Sequence, residues 1–208
     1  MSVAGLVLAA GAGRRYGMPK ALVRHEGQLF VERAADTLRR AGCERVLVVL
    51  GAAADEVRAA APGLPETVVN PDWATGMASS LRTGLATLAG TPTATPGETP
   101  AATPEGSRPV TAVVVLLVDM PGVGAEAVRR IAVHASPGAL VMGGYHGRRG
   151  HPVLLGRDHW AGVAATATGD RGARDYLRTQ EVLIVDVGDV ADDEDFDFPG
   201  NLSATSDH

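Results

Sequence analysis

A chain of 208 residues has room for one α/β domain with an insertion, and its 45% hydrophobic content supplies a sizeable core, which excludes a wholly disordered protein. With 19 basic against 24 acidic residues the net charge is −5, which argues against nucleic-acid binding through a broadly basic surface. The single Cys43 can neither close an intramolecular disulfide nor supply a zinc cluster, and it reads as buried and inert after Gly42. No apolar run is long enough to span a bilayer and no secretory signal is read, so the expectation is a cytoplasmic protein with no nucleic-acid or membrane partner.

Val3 to Ala10 is an apolar run ending in a glycine-rich loop, the pattern of a buried parallel strand. Phe30, Ala34, Leu38 and Ala41 then mark one face of a helix over 29–41 that stops at Gly42. Arg45–Leu50 predicts a second strand, Ala52–Ala61 a short helix before Pro62, and Glu66–Val69 a third strand. Met77, Leu81, Leu85 and Leu88 lie on one face of the next helix.

Residues 91–109 hold five Pro and five Thr and no Val, Ile, Leu, Met or aromatic residue. Such a segment cannot enter a core, and each Pro blocks helix propagation, so it reads as a disordered insert, with a proline-rich docking site as the alternative. Ala112–Val118 is the clearest strand of the chain. Ala125–Ala135 predicts a helix, Ala139–Met142 and His151–Leu155 short strands, Ala173–Arg178 a helix, and Glu181–Val187 a closing strand. Alternating strands and helices define an α/β, Rossmann-like class: a mostly parallel twisted sheet with helices on both faces. Its ligands belong beyond the strands' carboxyl ends, in the loops after Ala10, Leu50, Val69 and Val118. The reading is one domain over 1–202, interrupted by the insert, with a loose tail at 203–208.

Residues 186–197 carry seven acids and no Lys or Arg; without them 17 acids face 19 bases. A solvated acidic loop is the plain reading, and chelation of a metal by one of its members is the sharper one.

The loop from Gly11 to Lys20 combines Gly11, Gly13 and Gly17 with Arg14, Arg15 and Lys20, offering backbone N–H donors and cations to a polyphosphate. It is not a Walker A loop, because Ala21 follows Lys20. Nor is it the dinucleotide fingerprint, because the glycine spacing is one residue too long and the second strand ends in Gly51 rather than a ribose-binding acid. Nucleotidyl transfer needs cations over the α-phosphate and the leaving pyrophosphate, and Arg15 and Lys20 are candidates for both. Asp119, at the end of the most apolar strand, is a candidate ligand for Mg²⁺, with a helix N-cap as its structural alternative. Ser80 is placed to bond a base or ribose, or simply to cap a turn. His151 and Asp170 are weaker candidates, a structural histidine before Pro152 and a turn acid being the plain readings. Trp73, Trp160 and Tyr145 read as packing residues.

Leu8-Ala9-Ala10-Gly11 with Arg15, Gly17 and Pro19-Lys20 resembles the signature of the MobA-like nucleotidyltransferases, and within them the molybdenum cofactor cytidylyltransferases. Asn70-Pro71-Asp72-Trp73, Gly76-Met77, Ser80-Leu81 and Gly84-Leu85 resemble the family's second nucleotide-binding segment, and Leu117-Val118-Asp119-Met120-Pro121 its metal-binding strand end. Gly147 to Pro152 and Gly169 to Arg174 resemble its acceptor-side loops. The resemblance covers 3–90 and 110–202 and implies the nucleotide-diphospho-sugar transferase type of fold. It implies nucleotide or acceptor contacts at Ala9, Ala10, Gly11, Arg15, Lys20, Ser80, His151 and Asp170, catalysis by Arg15, Lys20 and Asp119, and Mg²⁺ on Asp119 and Asp197. It implies that Ala10 favours cytosine, since LAAG accompanies CTP and LAGG GTP. The expected reaction is transfer of CMP from CTP to molybdopterin-type molybdenum cofactor with release of pyrophosphate, and a molybdenum hydroxylase as downstream partner. The alternatives are a nucleotidyltransferase using GTP or another small phosphate acceptor, or a non-catalytic cofactor-binding chaperone. The family's closing segment, Asp-x-Asp-Thr-Pro-Glu-Asp-Leu, is altered here to Asp195-Phe196-Asp197-Phe198-Pro199-Gly200-Asn201-Leu202, which weakens Asp197 as a ligand.

Overall fold

Val46 to Leu50 are all apolar, so the strand that carries them cannot alternate between core and solvent and must be covered on both faces. The computed structural model, which describes residues 1–13, 16–90 and 109–194, has that arrangement. The strands are β1 (Ser2–Ala9), β2 (Arg24–His25), β3 (Gln28–Leu29), β4 (Arg45–Leu50), β5 (Glu66–Val69), β6 (Val110–Leu117), β7 (Leu140–Tyr145), β8 (Arg148–Gly156) and β9 (Leu183–Asp186). The helices are α1 (Phe30–Arg40), α2 (Ala54–Ala60), α3 (Met77–Ala89), α4 (Ala125–Ala132), α5 (Trp160–Thr166) and α6 (Arg174–Arg178).

Seven of these strands form one sheet in the order β5-β4-β1-β6-β8-β7-β9, and β2 and β3 form a small separate hairpin. β8 runs antiparallel to both its neighbours, and the other six strands are parallel to one another. Alternate residues of the central strands serve opposite layers. Val7, Val48 and Val114 pack beneath Phe30, Val31 and Leu38 of α1 and Val128 and Ile131 of α4. Leu6, Leu47 and Val113 pack beneath Leu81, Leu85 and Leu88 of α3, Val163 of α5 and Leu177 of α6. The two burials hold the helices on both faces of the sheet, giving the Rossmann-like three-layer fold expected from the sequence.

The strands expected at Arg45–Leu50 and Glu66–Val69 are found at those residues. The strand expected at His151–Leu155 begins earlier, because Arg148 to Gly150, outside that expected strand, form the start of β8. It pairs with β7 through Gly150↔Gly143, Arg149↔Gly144 and Arg148↔Tyr145, so a long hairpin replaces two short strands. The described part of the acidic stretch is solvated as expected, with Asp186, Asp189, Asp192 and Glu194 exposed, and two of its acids also hold the chain in place. Asp189 pairs with Arg130 at 2.6 Å and Asp193 with Arg148 at 2.9 Å, while Asp192 N donates to Gly122 O at 3.2 Å, which ties the chain after β9 to the ends of neighbouring elements. No helix among the described residues is long and apolar enough to cross a membrane. The Pro/Thr-rich insert up to residue 108 and the tail lie outside the described residues.

Candidate functional site

β1 and β6 are adjacent and parallel, so their carboxyl ends emerge together, and Val118 N donates to Leu8 O at 3.2 Å beyond the regular ladder. That register delivers Ala10 and Gly11 from one strand and Asp119 from its neighbour to a single edge. Lys20 arrives by another route. It opens a short 3₁₀ turn, Lys20–Leu22, whose middle residue Ala21 is buried against the α1 side of the core. With Ala21 anchored, the neighbouring Lys20 extends over the strand ends, and its Nζ donates to Asp119 Oδ2 at 2.6 Å. Both side chains are largely withdrawn from water, at 15% and 19% exposure. Shielding strengthens such a pair, and removal of either partner leaves the other charge poorly solvated.

Around this pair lies a cleft of two compartments. The smaller, about 250 Å³, is lined by Ala10, Gly11, Lys20, Trp73, Ser80 and Asp119, among others. The larger, about 560 Å³, falls within the roughly 300–1,000 Å³ of small-molecule sites. Leu8, Met77, Leu117 and Asp170 line both, so the compartments adjoin.

Two glycines shape the smaller compartment. A Cβ on Gly51 would stand 2.5 Å from Ala10 O and 2.7 Å from Trp73 Cβ, so the end of β4 must be bare for the Trp73 turn to lie against Ala10. This is a physical reason for glycine where a dinucleotide fold carries an acid. Gly76 precedes α3 with φ 111°, a conformation that favours glycine, and a Cβ there would meet Gly169 C at 2.5 Å. The contact brings Asp170 to the start of α3, where Met77 N donates to Asp170 Oδ1 at 3.3 Å. The positive end of α3 thereby faces the cleft with one N–H already engaged by a carboxylate.

Ser80 is buried, and its Oγ accepts from Asn70 Nδ2 at 3.0 Å; the same amide donates to Ser79 Oγ at 2.8 Å. Asn70 Oδ1 in turn accepts from Asp72 N at 3.0 Å, so this buried side chain orients the serines and the Trp73 turn together. His151 lines the larger compartment, and its Nδ1 lies 3.1 Å from Val115 O. A carbonyl only accepts, so Nδ1 carries the proton and Nε2 is the acceptor of the neutral ring. Burial holds the His151 pKa below its ordinary value; the Arg174 charge acts in the same direction, against the Val115 carbonyl and Asp119. Tyr145, whose hydroxyl donates to His151 O, has its pKa pushed up to about 12 by burial, with Asp193 and Asp192 adding to the rise.

The structure thus gathers Ala10, Gly11, Lys20, Ser80, Asp119 and Asp170 on one compartment and sets His151 in the other. Ala9 is placed apart: strand alternation turns its side chain into the α1-side core, and the cleft lining passes from Leu8 to Ala10. Arg15 and Asp197 lie outside the described residues. Asn70 and the arginines Arg148, Arg149, Arg171 and Arg174 of the larger compartment entered the sequence reading only within segments of the family resemblance, with no role of their own. The latter carried a signal in the cluster Arg148-Arg149 and in Arg171, Arg174 and Arg178.

Among the described residues no three His, Cys, Asp or Glu side chains gather into a metal cage. Asp119 offers a single hard carboxylate beside a polyphosphate-sized space. Among the described residues, that donor set fits a divalent cation sharing its shell with substrate phosphates and water.

Fold and cleft together define a Rossmann-like α/β protein with a nucleotide-type site at the carboxyl ends of its strands. Residues 5–184 match the MobA-like NTP transferase domain, and the chain belongs to that family. It is 38% identical over 206 residues to nicotine blue oxidoreductase of Paenarthrobacter nicotinovorans, covering 94% of this chain and 92% of that protein. Among solved structures it is similar to Rv0371c of Mycobacterium tuberculosis H37Rv, with a TM-score of 0.73 and 29% identity over 94% of this chain and 93% of the other. A structure of that same protein in complex with manganese gives a TM-score of 0.67 at 27% identity, covering 90% and 89% of the two chains. A shorter stretch of 38 residues is 53% identical to a probable molybdenum cofactor guanylyltransferase of Bacillus cytotoxicus, covering 18% of this chain and 19% of that one.

Proposed function

We propose that this protein is a nucleotidyltransferase that moves a nucleoside monophosphate from a nucleoside triphosphate to a phosphate-bearing acceptor of the molybdenum cofactor class, releasing pyrophosphate. The observation that carries the reading is the Lys20–Asp119 pair at 2.6 Å on the wall of the smaller compartment, with a larger compartment adjoining it. Lys20 is the cation for the triphosphate, Asp119 the carboxylate for a divalent metal, and Trp73 with Ser80 the residues beside base and ribose. A bound Mg²⁺ or Mn²⁺ would supply charge neutralisation on the phosphates. The manganese complex of the related mycobacterial protein supports a divalent cation without distinguishing the two.

The choice of base divides the support. Ala10 led to an expectation of CTP, whereas the guanylyltransferase relative favours GTP, the alternative reading. The nucleotide base is therefore the quantity to be measured. The experiment is pyrophosphate release by the purified protein with CTP, GTP, ATP and UTP, each with and without molybdopterin-type cofactor, in Mg²⁺ and in Mn²⁺.

A second reading has one specific support, the 38% identity to an oxidoreductase over nearly the whole chain. In that reading the cleft holds a redox nucleotide, and Lys20 and Asp119 position it without phosphoryl transfer. Oxidation of reduced nicotinamide nucleotides with a heteroaromatic dye, measured beside the pyrophosphate assay, separates the two.

A further inference from the structure

Arg33, near the start of α1, lines neither compartment of the cleft, yet it bonds to both chain segments that build the Lys20–Asp119 pair. Its Nη1 donates to Glu26 Oε2 at 2.7 Å, and its Nε donates to Pro121 O at 3.2 Å. Glu26 lies in the turn of the β2–β3 hairpin, the element that directly follows the Lys20 turn. Pro121 follows Asp119 and Met120 in the loop after β6.

Glu26 and Gly27 take φ of 51° and 82°, the two left-handed positions of a tight hairpin turn, where a long side chain is uncommon. The Glu26 carboxylate is nonetheless drawn across to α1 by Arg33. The pair is 33% and 63% exposed, so it adds little to stability, and what it supplies is placement. Pro121 has no N–H, so its carbonyl is the one backbone group it can offer, and Arg33 takes it. The next carbonyl, Gly122 O, accepts from Asp192 N at 3.2 Å, so the loop between buried Met120 and Val123 is pinned from two sides. A guanidinium presents its donors in a rigid plane, so one that bonds both segments fixes the distance between them.

We propose that Arg33 is a positioning residue: from the α1 side of the sheet it sets the spacing of Lys20 and Asp119, and with it the gap that receives a divalent cation and a triphosphate. The consequence for turnover rests on the nucleotidyl-transfer reading, whereas the consequence for the pair itself does not.

Lys20 is the only lysine among the 19 basic residues of the chain. Acetylation of the full-length protein by an amine-reactive ester, read by mass spectrometry against the α-amine, therefore reports on Lys20 alone and needs no substrate. Arg33→Ala should acetylate Lys20 faster than wild type by about threefold or more. It should raise the Mg²⁺ or Mn²⁺ concentration for half-maximal pyrophosphate release by a similar factor, with a smaller change in kcat at saturating metal. Arg33→Lys should fall between the two, since an ammonium keeps the charge but not the fork. Arg39→Ala, on the same helix and paired with Asp36 at 3.3 Å, should match wild type in both readouts. Cys43, packed against the core that α1 covers, should stay closed to iodoacetamide in each variant. Wild-type acetylation in Arg33→Ala, faster acetylation with an unchanged metal requirement, or a labelled Cys43 that makes the loosening global would each overturn the positioning role. If wild type shows no turnover while Arg33→Ala still speeds acetylation with Cys43 closed, the nucleotidyl reading fails and the hold on the pair stands.

Discussion

Lys20 and Asp119 stand 99 residues apart in the chain, yet Nζ and Oδ2 meet at 2.6 Å across the carboxyl ends of β1 and β6. Each holds the other in place without substrate. If the proposed reaction holds, a metal-bound triphosphate would offer both a better partner, cation to Asp119 and phosphate to Lys20, and the pair would part when substrate enters.

Lys20→Ala should therefore lower nucleotidyl transfer at least tenfold, about 1.4 kcal/mol of transition-state stabilisation. Steady-state pyrophosphate release by the purified variant checks this. Near-normal turnover removes Lys20 from the proposed chemistry.

Asp119→Asn keeps the shape of the side chain and an acceptor for Lys20 but removes the charge that attracts a divalent cation. Metal-dependent turnover should be lost across Mg²⁺ and Mn²⁺ titrations, while the protein stays folded with a melt lowered only by loss of the Lys20 charge pair, because Asp119 lies at the cleft and not in either core layer.

Gly76 tests the architecture. Alanine there combines an unfavourable φ of 111° with a Cβ 2.5 Å from Gly169 C and 2.6 Å from Gly169 O. Gly76→Ala should cost about 1–3 kcal/mol of stability and weaken nucleotide binding as Asp170 is pushed off Met77 N. Gly63→Ala, with no atom within 4 Å of the added Cβ, should stay within about 0.5 kcal/mol of wild type in denaturant titration.

Cys43 has its pKa pushed up to about 12 by burial. At pH 8 roughly one thiol in ten thousand is then the reactive thiolate. Iodoacetamide should leave the native protein unlabelled and modify one site per chain in denaturant, which mass spectrometry reads directly.

The sheet was legible because Val46–Leu50 and Ala112–Leu117 are unbroken apolar runs, which only a strand buried on both faces explains. α3 was legible from Met77, Leu81, Leu85 and Leu88. α5 escaped because Gly162 interrupts a seven-residue helix; its missing Cβ, which would stand 2.5 Å from Tyr176 Cε2, gives that ring its seat. β2 and β3, two residues each, are too short to show a period. Of the cleft, the loop after β1 and the acid after β6 could be read as separate segments, but no spacing announces that Lys20 meets Asp119. Asn70 could be read as part of a motif, but its role could not, since its work is to hold Ser80 and the Trp73 turn through space.

If the paired site transfers a nucleotide, the mass of the acceptor reports it directly. Purified protein, divalent metal, molybdopterin-type cofactor and an equimolar mixture of CTP and GTP should yield acceptor heavier by one nucleoside monophosphate, with pyrophosphate released one for one. The mass identifies the base in the same spectrum. Unchanged acceptor with no pyrophosphate, alongside dye-dependent oxidation of a reduced nicotinamide nucleotide, would contradict the account.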